Sequence, residues 1–104
     1  VDGFEAGITG ALPSSLGDLG SSVTYLDLDT NAITSVPTEL AALTGLEGLW
    51  LNNNQLTGVP AEFRTVDPTG SCYFFNNPDF SCANLGYTTN CCTSENCGDT
   101  STCY

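Results

Sequence analysis

The side chains in this chain that could do chemistry are almost all acids. Asp27 and Asp29 stand two apart in a stretch where apolar and polar residues alternate, so on a strand both project to the same side. Glu47 precedes the next such stretch and is expected to lie nearby on the neighbouring strand. Two carboxylates about 5 Å apart are what a retaining glycosidase uses. Clustered carboxylate oxygens are also what calcium requires. Against catalysis stands the rest of the inventory: there is no histidine and no lysine. With the six cysteines expected to be oxidised, the usual nucleophile–base pairs cannot be assembled. The three acids would sit on an open sheet surface with no wall to desolvate one and raise its pKa. They are expected to be solvated, and the chain is read as not an enzyme. A loose Ca²⁺ site at Asp27, Asp29 and Glu47 is kept as a reading, and no other cofactor is expected. Zinc is excluded because Cys91, Cys92 and Cys97 form no C-x-x-C knuckle and no histidine could join them.

These acids are positioned by a repeat. Val23-Thr-Tyr-Leu26-Asp-Leu28-Asp-Thr-Asn31-Ala-Ile33-Thr-Ser-Val36-Pro37 lies over Leu46-Glu-Gly-Leu49-Trp-Leu51-Asn-Asn-Asn54-Gln-Leu56-Thr-Gly-Val59-Pro60 at a spacing of 23 residues. Apolar positions, asparagines and prolines all fall into register. A fixed period of this kind means stacked units that cannot bury their apolar faces alone. The pattern L-x-x-L-x-L-x-x-N-x-L resembles the leucine-rich repeat. Thr57-Gly-Val-Pro60 and Thr9-Gly-Ala-Leu-Pro13 look like its extracellular, plant-type subclass. That resemblance implies an α/β solenoid with a concave parallel sheet of about three or four strands, a convex side of 3₁₀ or short helical turns, and an extracellular, non-enzymatic role.

The same spacing carried downstream takes Leu49, Leu51 and Asn54 to Cys72, Phe74 and Asn77, a degenerate repeat with cysteine in a leucine slot. Upstream, Leu12-Pro13, Leu16 and Leu19 precede Val36-Pro37, Leu40 and Leu43 by 24 residues. Val1-Asp2-Gly3 falls where a strand should be but lacks the leucines. Leu26 and Leu28 face the core, while Asp27 and Trp50 face out. Asn31, Asn54 and Asn77 are expected to stack as a ladder whose amides satisfy backbone groups of adjacent turns. Pro37 and Pro60 start return segments, where a missing N–H does no harm.

Three outward rows follow: Asp27–Trp50–Tyr73, Asp29–Asn52–Phe75 and Tyr25–Gly48–Ser71. Adjacent strands lie about 4.8 Å apart, so Trp50 and Tyr73 are neighbours and Phe75 shares their face. An aromatic patch on the solvent side of a sheet marks a binding surface. Tyr25, Asp27, Asp29, Glu47, Trp50, Asn52, Tyr73 and Phe75 are therefore the candidate contact residues for a protein or a glycan. The competing reading is that the C-terminal segment shields them. At the other end, Val1, Phe4, Ile8 and Leu12 are expected to be bare beside an unpaired strand edge, which would template pairing with another chain.

Twelve acids face a single base, Arg64. Such a chain repels nucleic acid and anionic lipid and attracts basic proteins or divalent cations, or simply stays soluble through its charge. No apolar run is long enough to span a membrane. All six cysteines fall at or after Cys72, as in small secreted domains that use disulfides to supplement a modest core. Residues 1–80 read as the repeat unit and 81–104 as a cysteine-rich segment resembling the cap of extracellular repeat domains. Cys72 with Cys82 is the preferred pair, and Cys91, Cys92, Cys97 and Cys103 would pair among themselves. There is no N-linked sequon, although Ser and Thr are plentiful enough for O-linked sugar. The leading functional reading is a non-catalytic cell-surface, wall or fibre module that docks through its open N-terminal end onto copies of itself, head to tail, or onto a neighbouring extracellular protein. The alternative is a recognition module that binds through the aromatic concave face.

Overall fold

The computed structural model describes residues 2, 3, 5–66, 68, 70 and 72–80. Val1, Phe4, Ser71, Cys82, Cys91, Cys92, Cys97 and Cys103, and with them the 81–104 segment, lie outside the described residues. Strands β1 (Thr9–Ala11), β2 (Tyr25–Asp27), β3 (Ala32–Ser35), β4 (Gly48–Trp50) and β5 (Cys72–Tyr73) alternate with three 3₁₀ helices, Ser14–Ser22, Thr38–Ala42 and Ala61–Thr65. Among the described residues no helix is long and apolar enough to cross a membrane.

β2, β4 and β5 form a parallel three-stranded sheet. Its register pairs Leu26 with Leu49, Asp27 with Trp50, Leu49 with Cys72 and Trp50 with Tyr73. Each step is one period of the repeat. Because side chains alternate along a strand, Leu26, Leu49 and Cys72 turn to one side and have no solvent exposure. Burying a leucine in this way stabilises the fold by about 2 kcal/mol. The ladder runs on past the strands, Leu28 N–H donating to the Trp50 carbonyl at 2.8 Å and Leu51 N–H to that of Tyr73 at 2.9 Å. Leu28 and Leu51 thereby join the same core.

Each 3₁₀ helix begins after a proline, Pro13, Pro37 or Pro60, whose φ of −75°, −79° or −67° is what the ring enforces. Leu40 and Phe63 pack inward from the second and third. A second parallel pair, β1 with β3, was not part of the sequence reading. It forms because the chain leaves each asparagine turn extended, and its register shifts by one residue between Gly10 and Ala11.

The asparagines sit where turns meet. The Asn54 carboxamide nitrogen donates to the carbonyls of Leu28 at 3.0 Å, Leu51 at 3.2 Å and Asn52 at 3.2 Å, while its oxygen accepts from Ile33 N–H at 3.1 Å. Asn77 binds the Leu51 and Phe74 carbonyls and Leu56 N–H, and Asn31 binds the Gly3, Leu28 and Asp29 carbonyls and Ile8 N–H. The residue before each asparagine, Thr30, Asn53 or Asn76, has φ near +58° (59°, 57° and 58°). Asparagine tolerates that left-handed conformation, whereas threonine resists it.

The N-terminal end differs from expectation. Asp2 bridges to Asp27 in parallel, Gly3 N–H donates to the Asp27 carbonyl at 2.6 Å, and Glu5 N–H donates to that of Asp29 at 3.1 Å. Asp2, Gly3 and Glu5 thus continue the ladder on the edge of β2. Gly3 occupies a leucine slot because the turn lies so close that a Cβ there would meet the Leu28 side chain at 2.6 Å and that of Ile8 at 3.2 Å. Leu12 is buried and Ile8 is partly buried against the core, so neither is bare. The N-terminal edge of β2 is paired with Asp2.

Two stability predictions follow. Asn54→Ala strands a buried N–H and several carbonyls and should cost about 3 kcal/mol, read as a lowered urea midpoint. A loss below 1 kcal/mol would mean the amide is not what joins the turns. Thr30→Asn, which copies the residue at the equivalent positions 53 and 76, should raise stability by about 0.5–1 kcal/mol in the same measurement.

Candidate functional site

The face of the β2–β4–β5 sheet opposite the leucines carries the side chains of interest. Gly48 lies next to Tyr25 in register. A Cβ at Gly48 would run into the six-membered ring of Trp50 and would meet the Tyr25 ring at 2.8 Å. The missing side chain is therefore the seat on which the indole lies. Trp50 stacks on Tyr25 with centroids 6.0 Å apart and planes 20° apart. On its other side Tyr73 meets it edge-on at 6.5 Å, and Tyr73 in turn tilts against Phe75 at 5.6 Å. The four rings make one strip across three strands. Tyr25 is 53% exposed, and Trp50, Tyr73 and Phe75 are each partly exposed.

At the β2 end the strip runs into acids. Asp2, Asp27, Trp50 and Tyr73 form a single row across the sheet. Asp27 is partly buried and its Oδ1 accepts from Asp29 N–H at 3.4 Å. Its pKa is raised to about 6. The main cause is desolvation at the sheet surface; a side-chain hydrogen bond from protonated Asp27 to Asp29 and the charges of Asp29 and Asp2 add to it. The expectation that these acids would all be freely solvated is therefore corrected at Asp27. In register Asp27 lies between Asp2 on one side and Trp50 on the other. Asp29 also accepts from the Thr30 hydroxyl at 3.2 Å.

Glu47 does not join them. Its N–H donates to the Thr24 carbonyl, and one period back from Glu47 is Thr24, three residues short of Asp27. At about 3.3 Å per residue the separation along the strand is roughly 10 Å. Among the described residues no three His, Cys, Asp or Glu side chains group to hold a metal ion, so the Asp27–Asp29–Glu47 calcium set is not assembled. Asp27 and Asp29, for their part, stand within hydrogen-bond reach of each other. That leaves no room for the sugar carbon that must fit between two glycosidase carboxyls.

Asn52 is the unusual member. Alternation with the core-facing Leu51 puts it on the aromatic side, between Asp29 and Phe75. It is only 6% exposed, yet its Oδ1 has no hydrogen-bond partner among the described residues. Cys72, buried beneath this face, is disulfide-bonded. Sequence reasoning missed Asp2 and the role of Gly48. Asp2 was legible as the residue one degenerate period before Asp27. The seating of the indole on Gly48 had no signal beyond a glycine in an outward row.

Parallel strands one period apart, return segments of 3₁₀ helix and buried asparagine turns together define a repeat fold. Residues 45–65 match the family model of the Leucine Rich Repeat, and this supports a leucine-rich repeat protein. A search of curated proteins finds no match to the chain. Repeats of this family generally mediate protein–protein binding on the surface their sheet presents.

The raised Asp27 pKa makes a stability prediction. The folded chain holds this proton more tightly than the unfolded chain, whose pKa is near 3.8. Its contribution is therefore full below about pH 4 and is lost as pH rises through about 6. Asp27→Asn should remove that fall and leave the variant more stable at neutral pH. The gain is on the order of 1 kcal/mol once the partial exposure of the carboxyl is allowed for. Urea midpoints at pH 4 and pH 7 measure it; an unchanged difference between them would place the titration elsewhere.

Proposed function

We propose that this chain is a non-catalytic recognition module that binds a protein partner through the Tyr25–Trp50–Tyr73–Phe75 strip. The observation that carries the reading is the indole of Trp50 laid on Gly48 between two tyrosines and left partly exposed. Rigid aromatic rings held by the sheet lose little freedom on binding, and Trp and Tyr dominate contact energies at interfaces. The general protein-binding role of leucine-rich repeats supports the same conclusion. The head-to-tail reading finds less support at Leu12, which is buried, and at Ile8, which is partly buried against the core.

In this reading the chain is a short solenoid of the plant-type subclass, working outside the cell or at its surface. Disulfide-bonded Cys72, six cysteines in a small chain and the Thr9-Gly-Ala-Leu-Pro13 and Thr57-Gly-Val-Pro60 sequences support that setting. The 81–104 segment would be a disulfide-rich cap, with Cys72–Cys82 the first bridge to test by peptide mapping. O-linked sugar belongs to the same proposal.

The test is selection of binders from a displayed random-peptide library on the intact chain, followed by affinity measurement on variants. Trp50→Ala and Tyr73→Ala should each weaken most selected binders at least tenfold, about 1.4 kcal/mol, without shifting the urea midpoint as Asn54→Ala does. Binders indifferent to both substitutions would move the contact surface off the strip.

A further inference from the structure

We infer that the strip and the acids beside it recognise a cationic segment of the partner, an extended stretch carrying arginine, whose guanidinium lies on Trp50 and reaches Asp27, Asp29 and, as that side chain turns outward, the Asn52 oxygen, which has no partner among the described residues. This rests on the reading above and adds the chemistry of the occupant. Every charged group named on this part of the face is an acid. Asp2, Asp27 and Asp29 contribute carboxylates, and Asn52 contributes a carboxamide oxygen that is nine-tenths buried and unpartnered among the described residues. A buried acceptor without a donor is costly, and a ligand that supplies the donor recovers that cost. The rings add faces that attract a cation, above all a planar one that can stack while its N–H groups fork to carboxylates.

The occupant must come from elsewhere, because this chain has no cation to spare. Its formal net charge is −11, and its single basic side chain belongs to Arg64, in the 3₁₀ helix of a return segment rather than on the sheet. Residues 81–104 contain acids and no base. Neither that segment nor a second copy could complement this face, since like charges would meet there. A neutral glycan could stack on the rings but would not match the charges of Asp27 and Asp29.

Titration of Asp27 gives the contact a pH signature. The groups facing it are Asp2 from the N-terminal turn, Asp29 on its own strand and the uncharged Trp50 from β4. With its pKa raised to about 6, Asp27 is largely protonated at pH 5 and ionised at pH 7.5. An approaching cation favours the ionised form, so affinity should rise with pH across that interval.

Trp50 is the only tryptophan, so its fluorescence reports occupancy directly. The probe is an alternating arginine–glycine peptide titrated into the intact chain at physiological salt, with calorimetry alongside for variants that lack the indole. We expect a saturable change in Trp50 emission and affinity at least threefold weaker at pH 5 than at pH 7.5. Asp27→Asn with Asp29→Asn should lose tenfold or more. Asp18→Asn with Glu39→Gln, which removes the same charge from the 3₁₀ side, should lose less than threefold. Equal losses from the two double variants would reduce the effect to overall charge and overturn the proposal. So would binding of a glutamate–glycine peptide or a neutral oligosaccharide at equal strength. If the arginine peptide fails while library binders still depend on Trp50, the cationic chemistry alone is wrong. If the library binders also ignore Trp50, the contact face itself is wrong.

Discussion

The carboxamides of Asn54 and Asn77 are the constraint on which the rest of the structure depends. Each is buried where two turns meet, and each holds backbone groups of its own turn and of the one before it. A carboxamide can do this because it has an acceptor and two donors on one rigid plane. Sliding one turn past the next by a residue would leave those groups unpaired and would also turn every strand side chain to the wrong face. Hydrophobic burial alone would not fix the register so tightly, since leucine against leucine tolerates small slips. The amides convert an apolar stack into one with a single alignment.

That alignment sorts the chemistry onto two faces. On one side lie leucines and a half-cystine, each directly beside its counterpart a period away. On the other lie acids from the first turns and rings from the later ones, so the row Asp2–Asp27–Trp50–Tyr73 grades from charged to aromatic across the sheet. The grading has a physical consequence at its middle. Asp27 lies in register between Asp2 and Trp50, and its proton is held to a pH at which most carboxylic acids have long since ionised. Gly48 is the other consequence of close packing on this face, a position kept empty so that the largest ring in the chain can lie flat.

The strand positions, the leucine slots and the 3₁₀ return segments were legible because each follows from a period that repeats residue for residue. Trp50 beside Tyr73, and Asp29 beside Asn52, were legible for the same reason. Glu47 was misjudged because nearness in sequence to β4 was given more weight than the period, which sets it against Thr24. The N-terminal turn was hidden by its substitutions. Gly3 stands in a leucine slot and Ala6 in an asparagine slot, so the degenerate period marked a strand position at Val1-Asp2-Gly3 without announcing that Asp2 pairs with Asp27. The β1–β3 pair was hidden because it depends on how extended the chain is after the asparagine turn, and no side-chain alternation announces it. A desolvated carboxyl and an orphaned carboxamide oxygen are likewise properties of neighbours in space.

Proton exchange at the asparagine side chains tests the central claim most directly. The Asn54 and Asn77 carboxamide protons and the Ile33 and Leu56 amides should exchange with solvent as slowly as the core amides of Leu28 and Leu51, opening only with global unfolding. The exposed carboxamide of Gln55 serves as the fast reference within the same molecule. Slow exchange at all four sites would establish that the amides lock the turns together. Exchange of Asn54 or Asn77 at the Gln55 rate would mean that the register is held by something else, and the ordered row of acids and rings would lose its foundation.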